Sequence, residues 1–191
     1  MFPRKKKLFL VLIFVLLVAA APGCGQKPGA APGPGGKKPA ASGTEQTKPG
    51  PEQKAVPVTV YFADKQAMYL VPEERQVIVD QGTIAEAVIK ELIKGPQNPE
   101  LRKTIPEGTV LLSLTVKDGT AYVNFSKEFQ SRHWGGTAGE SMTIFSVVNS
   151  LGKLKDIKQV QFLLEGQKQE SILGHADTSA PISPNWNMVA K

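Results

Sequence analysis

Between Gly25 and Pro57 the chain carries one large apolar side chain, Val56, and from Val58 onward it carries them in patterned clusters. That boundary fixes where a core can form. A stretch of Gly, Pro, Ala and Lys cannot bury enough surface to offset the entropy of ordering it. Residues 58–191 are therefore the part expected to fold, and they suffice for one domain of ordinary size. Residues 25–57 are expected to be a flexible linker. As a random coil, 33 such residues span about 30 Å.

Charge follows the same boundary. The chain has 23 Lys/Arg and 17 Asp/Glu, a formal net charge of +6. Residues 1–57 hold nine of the basic and two of the acidic residues, a net of +7, which leaves 14 basic and 15 acidic residues in 58–191. The folding part is thus near neutral and lacks the basic excess of a nucleic-acid reader. No nucleic-acid partner is expected.

The first residues have the layout of an export signal. Arg4, Lys5, Lys6 and Lys7 precede an uninterrupted apolar run over 8–21, which ends at Pro22-Gly23-Cys24-Gly25. The run is shorter than the roughly 20 residues that span a bilayer core. Gly23 and Cys24 resemble the bacterial lipoprotein signal, in which a cysteine after a small residue is lipidated on sulfur and becomes the new N-terminus. That resemblance implies a signal peptide over 1–23, fatty-acyl chains such as palmitate on Cys24, and anchoring at the outer face of the cell membrane. An ordinary secretory signal is the alternative, and it would leave Cys24 as an unpaired thiol in an oxidising compartment.

Local signals then give an order of elements. Residues 58–62 have strand character, and 68–71 and 76–79 form two extended segments around a bend at Pro72-Glu73-Glu74. A helix starts at Thr83, where Thr83 and Glu86 make a capping box; Ile84, Val88 and Leu92 carry its apolar stripe until Gly95-Pro96. Strands over 110–116 and 120–125 flank Asp118-Gly119, the chemistry of a tight hairpin turn. A second helix is predicted over 139–154, a last strand over 160–164, and an irregular tail from Gly174. This order predicts an α+β fold with helices on one face of a mostly antiparallel sheet, in a split βαβ layout.

The ordered segments also carry a family resemblance. Val60-Tyr61-Phe62, Leu70-Val71-Pro72-Glu73 with Arg75, Glu91-Leu92-Ile93-Lys94-Gly95-Pro96, Ile105-Pro106 with Gly108-Thr109, Asp118-Gly119 with Val123 and Ser126, Glu140, Val148-Asn149 and Gly166 together resemble the GerMN domain of sporulation and spore germination proteins. The likeness covers about 58–174. It implies a non-enzymatic envelope domain with a core similar to the ring-building domains of secretion machines. Envelope or sporulation proteins are the implied partners, and self-association is compatible with such a core.

Chemistry-bearing residues are sparse. His133 beside Trp134, in a polar loop over 131–136, has the aromatic surface of a sugar or peptide pocket, against the alternative of a loop held by its own packing. His175, Asp177 and Ser179 have the letters of a hydrolytic triad, but near-consecutive loop residues seldom converge as one. Glu73 and Glu74 could serve acid–base chemistry, although a turn with solvated charges and a local ion pair accounts for them more simply. Two histidines 42 positions apart and one cysteine do not make a metal set, and no glycine pattern has the spacing of a phosphate loop. No cofactor or metal is expected. The expectation is a lipid-anchored interaction module without catalysis; the alternative is a module that binds peptidoglycan or another cell-wall polymer through His133 and Trp134, and an envelope hydrolase ranks last.

Overall fold

The computed structural model describes residues 55–79 and 82–191. The signal segment, Cys24 and the linker as far as residue 54 lie outside the described residues.

Strand β1 (Ala55–Ala63) pairs antiparallel with β2 (Leu70–Ile78), so the folded part begins three residues before Val58. The expected bend at Pro72-Glu73-Glu74 is absent, and β2 runs straight through Pro72. Pairing explains why proline fits there. Pro72 stands opposite Tyr61, whose N–H turns away from β2 and donates to Ser150 Oγ at 3.0 Å. Such a pair needs no ladder hydrogen bond from either residue, so the N–H that proline lacks is not missed. Pro57, four positions before Tyr61, has the same parity. The real turn lies at 64–69, where Asp64 Oδ1 accepts the Met68 N–H at 2.8 Å.

Helix α1 (Ile84–Lys94) is capped as its sequence predicts: Thr83 Oγ1 accepts the Glu86 N–H, and the Glu86 carboxylate accepts the Thr83 N–H. Its apolar stripe buries Val88, Ile89 and Leu92. Strands β3 (Leu111–Lys117) and β4 (Thr120–Phe125) form the expected hairpin; Asp118 and Gly119 both take positive φ, 50° and 75°. Strand β5 (Gln159–Leu164) joins β4 in parallel, after a crossover through a four-residue helix α2 (Glu128–Ser131) and α3 (Gly136–Gly152).

The fold is α+β with mostly antiparallel strands, arranged as two sheets, β1-β2 and β3-β4-β5, where a single sheet was expected. Helices α1 and α3 pack on the strands and on each other. Val58, Val60 and Phe62 of β1 face the main core with α1, Ile144, Val147, Val148 and Leu151 of α3, and Phe125, Phe129 and Phe162. Phe125 and Phe129 stack at 4.4 Å between centroids. The opposite face of β1 gives Tyr61 and Ala63 to a smaller cluster with Leu70 and Met142.

Helix α3 starts at Gly136, three residues earlier than predicted, and its N-cap is Gly135 in a left-handed conformation with no side-chain cap. The tail beyond Gly174 is docked. Ile182 and Val160 exchange backbone hydrogen bonds at 2.8 and 2.9 Å, and Ala190 N–H donates to the Leu70 carbonyl. Asn149 on α3 bonds Asn185 in both directions, each at 2.9 Å. Among the described residues no helix is long and apolar enough to cross a membrane.

Candidate functional site

The first turns of α3 gather three of the residues that the sequence marks for chemistry, His133, Trp134 and His175. Gly139 permits this packing: a Cβ there would lie 2.5 Å from the Trp134 carbonyl oxygen, so only glycine lets the loop fold down on the helix. His133 stacks on Trp134 with centroids 6.1 Å apart. Trp134 is 49% exposed. Thr143 Oγ1 donates to the Thr104 carbonyl at 2.7 Å, which leaves His133 Nε2 as the donor in its 3.3 Å contact with the same hydroxyl. Burial holds the His133 imidazole below its ordinary value; the Glu140 carboxylate opposes that shift and His175 adds to it. His133 is thus a positioned neutral ring, and Trp134 is the exposed surface.

One turn away, Glu140 is 1% exposed and serves as an anchor. Its carboxylate accepts the backbone N–H groups of His175 and Ala176, the latter at 2.7 Å, and His175 Nδ1 at 2.8 Å. This arrangement takes His175 out of any triad. Ser179 Oγ donates to Asp177 Oδ1 at 2.6 Å, while His175 pairs with Glu140, so the three letters do not form a relay. The hydrogen bonds from Ser179 hold the exposed Asp177 carboxyl below its usual range. Glu140 is an acidic residue within an apolar helix, the signal that could have pointed to it.

The local ion pair expected from sequence forms between Glu73 and Arg75, but on strand β2 and largely buried, where a solvated turn was expected. Arg75 is 5% exposed and donates to Glu73, to Glu91 Oε2 at 2.6 Å and to the Gly95 carbonyl at 2.7 Å, with its guanidinium over the Phe62 ring. Glu73 also accepts the Gln97 and Asn98 N–H groups. Burial pushes the Glu73 carboxyl up, yet the Asn98 amide, Arg75 and the Gln97 amide together hold it below its ordinary value. For Glu91, burial is likewise overcome, by Lys94 and Arg75. The network ties β2 to the C-terminal end of α1, where a cation complements the helix dipole. Its groups are consumed by one another, which removes them as acid–base candidates.

Among the described residues no group of three or more His, Cys, Asp or Glu side chains gathers as a metal site.

The family model named Germane, described as sporulation and spore germination, matches residues 59–170. The chain belongs to the Germane family. The tandem GerMN domains of the sporulation protein GerM from Bacillus subtilis align with a TM-score of 0.59 at 23% identity, covering 77% of this chain and 51% of that one. The first GerMN domain of the same protein aligns with a TM-score of 0.56 at 20% identity, covering 69% and 98%. At these identities the likeness is one of fold, and this chain spans about half the length of the tandem structure. No curated protein matches the chain.

Within the Germane match, the residues that carried the resemblance mainly build the fold. Arg75, Glu73, Glu91 and Gly95 form the β2–α1 network, Asp118-Gly119 forms the hairpin turn, and Glu140 holds the loop at 175–176. Thr104 and Trp134 are outside that set. They meet at a cavity beside Gly139 and Met142, and no sequence signal picks out Thr104, a loop residue whose burial depends on α3 packing over it.

Proposed function

We propose that the chain is a membrane-anchored, extracytoplasmic lipoprotein whose Germane domain binds protein partners without catalysis, in sporulation, germination or the assembly of an envelope complex. The export layout of residues 4–24 and the family support this reading. The observation that carries the interaction role is β3. It is an edge strand of the three-stranded sheet, and Val110, Leu112 and Val116 stand exposed along and beside it. An open edge offers backbone groups to an incoming strand, and the exposed side chains add apolar contact. The test is crosslinking in intact cells from a photoreactive residue at Leu112, followed by mass spectrometry. Captured envelope or sporulation proteins support the reading; an uncrosslinked protein under conditions where a residue at Trp134 does crosslink overturns it. Replacing Cys24 with Ser should release the protein from the membrane fraction, and retention there would sink the lipid anchor.

A second reading, binding of a wall polymer, rests on the half-exposed Trp134 beside its cavity. Sedimentation with purified cell wall tests it, with Trp134→Ala as the discriminating variant.

A further inference from the structure

We infer that the aromatic surface around the β1–β2 turn is a membrane-contacting face, which lays the tethered domain against the headgroups of an anionic bilayer. This rests on the lipoprotein reading for what brings the domain to the membrane.

Among the described residues the exposed large apolar side chains divide by type and by place. Ile78, Ile84, Val110, Leu112 and Val116 are aliphatic; Tyr69, Trp134 and Trp186 are aromatic. The three aromatics share one region with Met68, which is 64% exposed. The turn at 64–69 joins them: Ala67 lines the cavity beside Trp134, and Tyr69 lines another with Trp186. The frame holds them in place. Trp186 packs on Tyr61 with centroids 6.2 Å apart, Trp134 stacks on His133, and the Met68 N–H is bonded to Asp64. Contiguous exposed apolar surface marks an interaction site. Tryptophan and tyrosine, each an apolar ring with a polar edge, are the residues that settle at headgroup depth.

Charge is distributed to match. Arg102 and Lys103 line the cavity beside Trp134, and Lys191 lines the one beside Tyr69. Lys153 Nζ lies 5.4 Å from the centre of the Trp186 ring, and Lys65 belongs to the turn, where its carbonyl accepts from Arg102. Of the acidic residues, Asp64 and Glu100 bond to this turn. Five basic residues against two acidic ones leave the remainder of 58–191 with nine basic and 13 acidic, so a near-neutral domain has its positive pole here. Basic side chains around interfacial aromatics reach the phosphates of anionic lipids. The tether is long enough to allow the contact. Ala55, where the linker enters, and Ala63, beside the turn, are the two ends of β1, about 26 Å apart at the rise of a strand. The 30 residues over 25–54, as the coil their composition predicts, span about 30 Å.

The experiment is vesicle partitioning of the processed chain, residues 24–191, with Cys24→Ser so that no attached lipid contributes. The vesicles are phosphatidylcholine alone or an equal mixture with phosphatidylglycerol, read by cosedimentation and by tryptophan emission. Both tryptophans of the chain lie in the patch, so emission reports on it directly. The expected result is a blue shift with the anionic vesicles and binding at least about tenfold weaker to the neutral ones. Trp134→Ala should weaken binding about tenfold and Lys103→Ser about fivefold, whereas Lys90→Ser, the same charge change on the exposed side of α1, should leave it unchanged. No partitioning, equal binding to the two vesicles, equal losses in Lys90→Ser and Lys103→Ser, or Trp134-dependent sedimentation with cell wall in its place overturns the face. Should Trp134→Ala fail to fold, the two lipid compositions and the two lysine variants still decide. A high-salt wash strips a contact of this kind, so salt-washed membranes read the anchor alone. Release of Cys24→Ser from them with no vesicle partitioning keeps the anchor and overturns the face; retention sinks the anchor and leaves the vesicle result standing.

Discussion

Two polar regions of this domain lie on opposite sides of β1 and are built on opposite rules. Around Arg75 every charge has a partner: two carboxylates, a carbonyl and an aromatic face surround one guanidinium. Around Trp134 a buried hydroxyl has none and a large aromatic ring stands in solvent. The contrast teaches how to separate frame from site in a chain with no catalytic constellation. A polar group that the protein itself satisfies holds the fold together, and an aromatic ring left in solvent is free to meet something else.

The largest effect should come from the satisfied side. Arg75→Met keeps much of the volume but leaves Glu73 and Glu91 half-buried without their common cation, and it should cost about 3 kcal/mol, in the range for breaking a buried pair. Urea denaturation measures it, and a loss below about 1 kcal/mol would place the network among ordinary surface ion pairs. Acid acts on the same groups. Glu73 and Glu91 have folded values below the 4.5 of a free carboxyl, so the unfolded chain takes up protons first as pH falls. Their contribution is complete above about 4.5 and is lost as pH drops through the folded values, and Arg75→Met should flatten that part of the stability profile.

Gly139→Ala is the next largest test, and two effects compete in it. Alanine in a helix interior gains about 0.5–1 kcal/mol over glycine. Its methyl would sit 2.5 Å from the Trp134 carbonyl oxygen, an overlap with backbone that cannot be turned aside. Overpacking of this kind costs about 1–3 kcal/mol, so the net should be destabilising by about 1 kcal/mol, together with a shift in tryptophan emission. A stabilised variant with unchanged emission would show that the loop is free of the helix.

A smaller effect belongs to His133. Its folded value lies below the ordinary 6.5, so protonation favours the unfolded chain. The stability tied to its neutral ring is complete above about pH 6.5 and declines as pH falls toward the folded value. Thermal melts at pH 7.5 and 5.5 should show this decline in the wild type and a smaller one in His133→Asn.

Sequence made the frame legible wherever the signal is local. The Thr83–Glu86 capping box, the Asp118-Gly119 turn and the apolar stripe of α1 are decided within a few residues, and all three stand in the structure. Features set by distant partners were hidden. Pro72 looked like a bend because a proline in a strand is tolerated only opposite a residue such as Tyr61, whose N–H goes to Ser150 on another element. Helix α3 starts early because a glycine cap carries no side-chain signal, and α2 is too short for periodicity to show. Of the candidate site, Trp134 was visible as an aromatic in a polar loop; Thr104 was not, since its burial exists only once α3 has packed over it.

Thr104→Val should change stability least, and it tests the contrast most directly. The two side chains have nearly the same shape, so packing against Ala63 and Met142 is retained and no cavity opens. Only the hydroxyl is lost. Had it been bonded like the Arg75 network, its removal would strand a buried partner and cost about 1–3 kcal/mol. With no partner in the free protein, its loss relieves a desolvated group, and the variant should melt at the wild-type temperature or slightly above it. A destabilisation beyond about 1 kcal/mol would mean that the hydroxyl has a partner in the folded protein, and Thr104 would then belong with the frame.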